Sequence, residues 1–501
     1  MIGYEFLLSR IPLRMPAPRQ PARVKPVTRV ERMPEFVAVP KNTAPGADAS
    51  LFEHALFALK HEPLNVGLMH EALKQVAEAE VVEAITAQRF SAYTRRAAFI
   101  WEKANGKQLA LPWATVGGNY LPMFDPVDYY AGASWERNAR LRVDFNGIGP
   151  YEYCPVVQRD EALHGEGEQI LKQLEAWATS PANADILDRV MGWAYLSETR
   201  DSYAIENEVP SPGKEQAFLQ AMAHLRDRAP LDEPYLVGLQ NVVISDPLRA
   251  EQAFRGHQNW LQRGGQGALA VRYVPPPPEA LERLVDGFMR MANAKDDVPA
   301  LVKAAMVSFG FVFLHPFMDG NGRLSRLLAQ HSLNFQGALP ALQGGPALLP
   351  LSVAMKKNER DYLATLESFS KPARELWDVL SIGDNDFAFD FRSSPMAYAH
   401  WDGQPAARFI TQCARAALDQ SLVEEAAFIH AYDRAFDRID KAHNLPNRTI
   451  NLLIQWVRQN GNKMPERRRS ASELAGLRRE VIDGIEAIVA ESFSAAPQAG
   501  H

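Results

Sequence analysis

The stretch His315-Pro316-Phe317-Met318-Asp319-Gly320-Asn321-Gly322-Arg323-Leu324-Ser325-Arg326 decides how this chain is read. Just before it, Leu301 to Leu314 is apolar nearly all round, which predicts a helix buried at the centre of its domain. Pro316 stops that helix. Just after, Leu324, Leu327, Leu328 and His331 recur at helical spacing, so a second core-facing helix is predicted from about Arg323. The short loop between the two helices is left to carry the chemistry.

Gly320 and Gly322 flank Asn321, and both residue types tolerate positive φ, so the loop can turn several N–H groups inward as an anion nest. The nest falls at the start of a helix, where unpaired N–H groups favour phosphate. Arg323 and Arg326 share one helix face and can grip further phosphate oxygens. Asp319 is a hard oxygen ligand suited to the Mg²⁺ that accompanies a polyphosphate. His315, expected to have an ordinary pKa, can take a proton from an attacking hydroxyl. Base, metal ligand, nest and two arginines within twelve residues form an inventory for phosphoryl transfer.

Working outward, 501 residues with 47% apolar content provide for two to four structural units and a sizeable core. The formal charge of −6 excludes a whole-protein electrostatic drive towards nucleic acid or anionic membrane. Two cysteines, Cys154 and Cys413, are too few for a disulfide framework, and a reducing, cytoplasmic setting is expected. Neither a membrane span nor a cleaved signal is expected.

Residues 1–50, rich in Pro and Arg, are expected as an extended arm, and residues 51–165 as helices followed by loops with short strands. A catalytic domain is expected over 166–380, and a helical region over 381–501. Strand-like alternation is confined mainly to Val242–Ser245 and Ala268–Val274, so the class is mostly α. The tetraproline Pro275–Pro278 must be extended and leads into a helix near Glu279.

The twelve-residue run resembles the signature of the Fic family, His-Pro-Phe-x-(Asp/Glu)-Gly-Asn-Gly-Arg-x-x-Arg, at every specified position. The resemblance implies a helical domain with a short β-hairpin flap, which transfers AMP from Mg-ATP to a Ser, Thr or Tyr hydroxyl of a target protein. By that carry-over His315 is the base and Asp319 the Mg²⁺ ligand. Gly320, Asn321, Gly322, Arg323, Leu324, Ser325 and Arg326 bind the nucleotide.

Upstream, Ser202-Tyr203-Ala204-Ile205-Glu206-Asn207 looks like the family's inhibitory motif, in a helix near 200–207. It implies that Glu206 lies against Arg326, with Ser202 and Asn207 supporting it. Phe254–Leu261, with His257, Gln258, Asn259 and Trp260, resembles the target-positioning flap. Leu351-Ser352 and Asp361-Tyr362 resemble the segment that closes the adenosine pocket. Leu363 and Ser370 depart from relatives that have Tyr and Asn near those positions. The region around Gly118–Pro122 looks like that of long bacterial relatives.

In the carboxy-terminal part, Leu474, Leu477, Val481, Ile485 and Ile488 are expected on one helix face. Arg467–Arg469 form a basic run, but Glu466, Glu473 and Glu480 dilute it and no strand pair follows. A helical support or homo-oligomer surface is therefore expected there rather than a DNA-binding module. Two other functions suit the same motif: removal of AMP from a modified protein, and a non-catalytic nucleotide-sensing adaptor.

Overall fold

The computed structural model describes every residue except 225–227, 245, 247, 248, 343, 344, 384, 385, 470, 472, 473, 475, 476 and 495–501. Ser245 and Glu473 therefore lie outside the described residues. The chain is mostly helical with a few small sheets, and its Cα positions group into two compact units. One unit comprises residues 1–168, 206–338 and 358–411; the other comprises 169–205, 339–357 and 412–501.

At the centre of the first unit is the helix Ala300–Leu314, buried over nearly its whole length, followed by the helix Asn321–Phe335. An apolar surface on all sides has to be covered on all sides. The amphipathic helix Pro278–Asn293 covers part of it through Leu284, Val285, Phe288 and Met291. Pro278 sits in the first turn of that helix, where no N–H is needed. The preceding prolines are extended as their fixed φ requires, Pro277 standing at φ −63° and ψ 147°.

Around this centre lie the amino-terminal helices Leu51–His61, Val66–Leu73, Glu78–Ala87 and Ala92–Asn105. The first is closed by a capping box between Ser50 and Glu53, and the last ends on Gly106 in the left-handed region. Three short strands, Leu121–Pro122, Glu136–Asn138 and Val143–Phe145, then form a small mixed sheet.

Several local expectations need correcting. Within the amino-terminal arm, Gly3–Arg10 is a helix, because no proline occurs before Pro12 and long-range acceptors take its first N–H groups. His54 Nδ1 receives the Gly3 N–H at 3.1 Å, and the Glu62 carboxylate receives that of Tyr4 at 2.9 Å. The rest of the arm is extended and holds three short strands in one sheet. Val242–Ile244 belongs to the helix Glu233–Ile244, since Leu236, Leu239, Gln240, Val243 and Ile244 bury one helical face. Ala268–Val274 divides between a 3₁₀ turn, Gly267–Ala270, and the strand Val271–Tyr273.

A hairpin that the sequence reading did not place joins Trp377–Gly383 to Asp386–Phe391, with Trp377 opposite Phe391 and Val379 opposite Phe389. Cross-strand aromatic contact holds it, the Trp377 and Phe391 ring centroids lying 4.7 Å apart.

The second unit contains the helices Leu187–Ile205, Leu351–Lys357, Val423–His443, Asn447–Gln459 and Arg479–Phe493. Its carboxy-terminal core gathers Ile439, Ile450, Leu453, Ile454, Val457, Ile485 and Val489. The buried face of the last helix is Ile482, Ile485 and Val489, with Val481 and Ile488 only partly covered, so it is rotated from the face expected. No strand follows Phe391 among the described residues. Nor is any described helix long and apolar enough to cross a membrane.

Candidate active site

The helix Ala300–Leu314 ends at His315, which adopts the left-handed conformation (φ 50°, ψ 57°). That conformation is uncommon for a side chain with a Cβ. Pro316 cannot continue the helix, so the chain turns there and leaves the imidazole at the mouth of the loop. His315 Nδ1 lies 3.0 Å from the Val312 carbonyl oxygen, to which only an N–H can donate. The proton is thereby fixed on Nδ1 and the lone pair on Nε2. Burial lowers the His315 pKa to about 4, with the Val312 carbonyl opposing the shift. The imidazole is consequently neutral at pH 7, further below the usual range than the sequence suggested.

Gly320 has φ 83° and caps the helix Asn321–Phe335. A Cβ there would lie 2.8 Å from Ile244 Cδ1, so both conformation and space call for glycine. Asn321 serves the loop through its side chain. Its Oδ1 accepts the Phe317 N–H at 3.0 Å, and its Nδ2 donates to the Phe317 carbonyl at 2.8 Å. Only its backbone can address an anion. The N–H of Leu324 is given to the Gly320 carbonyl and its side chain is in the core, while the Ser325 hydroxyl donates to the Gly322 carbonyl at 2.7 Å. Leu324 and Ser325 therefore act on the loop and the core rather than facing outward.

Arg323 and Arg326 are almost fully buried, and one carboxylate spans them. Glu206 Oε2 lies 2.8 Å from Arg323 Nε, and Oε1 lies 2.8 Å from Arg326 Nη2. Burial disfavours the charge on Arg326, but Glu206 and Tyr362 more than offset it and raise its pKa. Tyr362, itself buried on the helix Glu359–Arg374, hydrogen-bonds this guanidinium. Glu206 also covers the start of the helix, since a Cβ on Gly322 would stand 2.4 Å from its Oε1. Glu206 directly follows the helix Leu187–Ile205, and Asn207, at φ 59°, turns the chain away. Ser202 is fully buried within that helix, in the second unit.

Asp319 remains partly exposed. Its Oδ2 pairs with Arg249 Nη1 at 3.0 Å, and its Oδ1 accepts the Gly320 N–H at 2.7 Å and lies 3.6 Å from Arg323 Nη2. No cluster of three or more potential metal-binding side chains occurs among the described residues. Asp319 is thus a partly exposed carboxylate just before the first turn of Asn321–Phe335. That donor set fits Mg²⁺, which takes one or two protein carboxylates and completes its shell with phosphate and water.

His257, Gln258, Asn259 and Trp260 lead into a two-stranded ladder in which Leu261–Gln262 pairs with Val271–Tyr273. The hairpin therefore starts at the end of the expected flap segment. His257 is exposed, whereas Asn259 is buried and donates Nδ2 to the Phe317 carbonyl at 2.9 Å. Gln258 Nε2 reaches the Asn259 and Pro275 carbonyls, and Trp260 packs on Phe387 and Phe389 of the later hairpin. Ser352, from the segment read as closing the adenosine pocket, belongs to the second unit, where Glu198 receives both its N–H and its hydroxyl.

Two arginines escape the sequence reading. Buried Arg255 donates Nε to the His315 carbonyl at 2.8 Å, Nη1 to the His257 carbonyl and Nη2 to the Pro276 carbonyl, while its own N–H reaches the Pro316 carbonyl. It ties the loop, the flap and the tetraproline together. Desolvation lowers its pKa to about 10, so it remains charged. The signal available was its place within the flap-like segment Phe254–Leu261. Arg249, the partner of Asp319, had no signal beyond its charge.

The sequence pattern of the Fic/DOC family matches residues 230–333, which contain the loop, both arginines and the flap hairpin. A protein adenylyltransferase Fic of Nematostella vectensis is 26% identical over 182 residues, covering 32% of this chain and 43% of that protein. One of Drosophila ananassae is 32% identical over 112 residues, covering 21% of this chain and 22% of that protein. The chain thus spans less than half the length of these curated relatives. Among solved structures, a Fic family protein of Desulfovibrio desulfuricans aligns over 67% of this chain and 85% of its own, with 14% identity and a TM-score of 0.39. Residues 230–333 of this chain thus match the Fic/DOC family.

Proposed function

We propose that this chain is a protein adenylyltransferase whose site is held closed by its own Glu206. The observation that carries the reading is the single carboxylate spanning Arg323 and Arg326 beside a neutral His315. A carboxylate at that point stands where polyphosphate oxygens would need two cations, and its charge repels them. When it withdraws, the first-turn N–H groups of Asn321–Phe335 and the Arg323 and Arg326 nitrogens that it occupied can turn to ATP, while Glu208 still lies 3.4 Å from Arg323 Nη1. Asp319 would hold Mg²⁺, which neutralises phosphate charge.

A hydroxyl oxygen of the target, held in line by the flap, attacks the α-phosphorus. The bond from the α-phosphorus to the bridging oxygen breaks, pyrophosphate leaves, and the hydroxyl proton passes to His315 Nε2. The left-handed turn at His315 and the Arg255 bond to its carbonyl fix the imidazole against the loop, so the base is oriented before substrate arrives. The curated relatives carry the name of this activity, which supports the same reading.

The test is which phosphate is retained. The full chain carrying Glu206→Gly, incubated with Mg²⁺ and ATP labelled at either the α or the γ position, should put α label into protein and release γ label with pyrophosphate. His315→Ala in the same chain should cut α labelling by about 10²–10⁴. Protein-bound γ label would replace nucleotidyl transfer with phosphoryl transfer. Uptake of neither label, with ATP still bound, would make the chain an adaptor.

A further inference from the structure

We infer that Arg255 and Asn259 are positioning residues that decide whether a protein hydroxyl or water receives the transferred AMP, by fastening the flap to the loop that carries His315. Their role rests on the adenylyltransferase reading, and it marks what makes such a site a transferase rather than a hydrolase.

Both side chains reach from the start of the flap back onto the loop. Arg255 is 5% exposed and gives Nε to the His315 carbonyl at 2.8 Å, Nη1 to the His257 carbonyl at 3.0 Å and Nη2 to the Pro276 carbonyl at 2.6 Å. Its own N–H reaches the Pro316 carbonyl at 2.8 Å. Asn259, also buried, gives Nδ2 to the Phe317 carbonyl at 2.9 Å. The carbonyls of three consecutive loop residues are therefore each held from the flap side. The acceptors bonded to the Arg255 guanidinium are all carbonyls, so its buried charge is kept without a hydrogen-bonded carboxylate among the described residues, at a cost in desolvation. Only a planar fork of donors can span three backbone segments at once, which a lysine cannot do.

The rest of the hairpin is pinned as well. Trp260 packs on Phe389 with ring centroids 5.3 Å apart. On the return strand Val271–Tyr273, the Tyr273 hydroxyl donates to the Phe313 carbonyl, near the end of the helix that leads to His315, and Arg374 Nε donates to the Val271 carbonyl at 3.2 Å. Leu261 and Gln262, on the first strand, are by contrast exposed. A flap fastened in this way is a ledge rather than a lid. An extended protein segment added to it brings its hydroxyl to one place relative to the base, where a displacement of about 1 Å costs about 10²-fold. Water needs no ledge. Its oxygen attacks the α-phosphorus, the bond to the bridging oxygen breaks, pyrophosphate leaves, the proton passes to His315 Nε2 and free AMP is released.

The test uses the full chain carrying Glu206→Gly with α-labelled Mg-ATP, and reads free labelled AMP against protein-bound label in one reaction, after subtracting the release that persists with His315→Ala. Arg255→Lys keeps the charge beside His315 and loses the fork; Asn259→Ala gives up one neutral hydrogen bond. Each should raise the ratio of free AMP to protein-bound label by about tenfold or more. Asn259→Ala, the milder change, carries the test if Arg255→Lys does not fold. A merely structural role lowers both products in step, so a ratio that stays where it was overturns the assignment alone. A parent chain that yields no protein-bound label overturns the adenylyltransferase reading, and the assignment with it.

Discussion

The His315 imidazole can accept a proton at Nε2 because of where its own proton sits. With Nδ1 held by Val312 and the ring buried, Nε2 keeps its lone pair well below pH 6.5. A histidine whose pKa is lowered on folding is protonated only as pH falls towards about 4, so its basic form is present throughout the neutral range. In the Glu206→Gly chain, kcat/KM for ATP should therefore stay level between about pH 8 and 6 and decline only at lower pH. An acid limb centred near 6.5 would mean that the ring is solvated. Arg249 makes a different prediction. Its pair with Asp319 is exposed and so contributes little, and Arg249→Ala should tighten Mn²⁺ uptake with ATP by about two- to fivefold, read by electron paramagnetic resonance. Arg249 is not legible in sequence as a site residue, and Arg255 only as part of the flap-like segment, because each reaches the loop through tertiary contact rather than motif spacing. The motif residues are legible because their chemistry is packed into twelve positions.

The two helices that carry the loop show how local pattern becomes position. Leu301–Leu314 is legible as a central helix because no face of it can meet water, and Gly310 shows how closely it is packed: a Cβ there would stand 2.4 Å from the Tyr153 hydroxyl oxygen. Gly310→Ala should lower stability by about 1–3 kcal/mol in urea unfolding, with transfer reduced alongside; an unchanged midpoint would show that the contact yields freely. The hairpin Trp377–Phe391 is harder to read. Phe387, Phe389 and Phe391 do alternate along its second strand, but its first strand, with Leu380, Ser381 and Ile382 largely exposed, has no apolar period of its own. The helix Glu233–Ile244 reads in part as strand because Val242, Val243 and Ile244 favour strands individually, and only the longer i, i+3, i+4 pattern reveals the helix.

At the scale of the whole chain, the −6 charge and the carboxy-terminal basic run favour no polyanion surface. Arg469 is paired with Asp483 and Glu486, and Arg468 lies over the Trp456 ring, so two of the three arginines are engaged within their own unit. Buried charge is concentrated instead at Arg323 and Arg326, where one carboxylate bridges two buried cations. The initial rate of label uptake from α-labelled Mg-ATP is to be compared between the intact chain and its Glu206→Gly variant. A rise of about tenfold or more, equal to roughly 1.4 kcal/mol and lost again with His315→Ala, is predicted; equal rates in the two chains would contradict it.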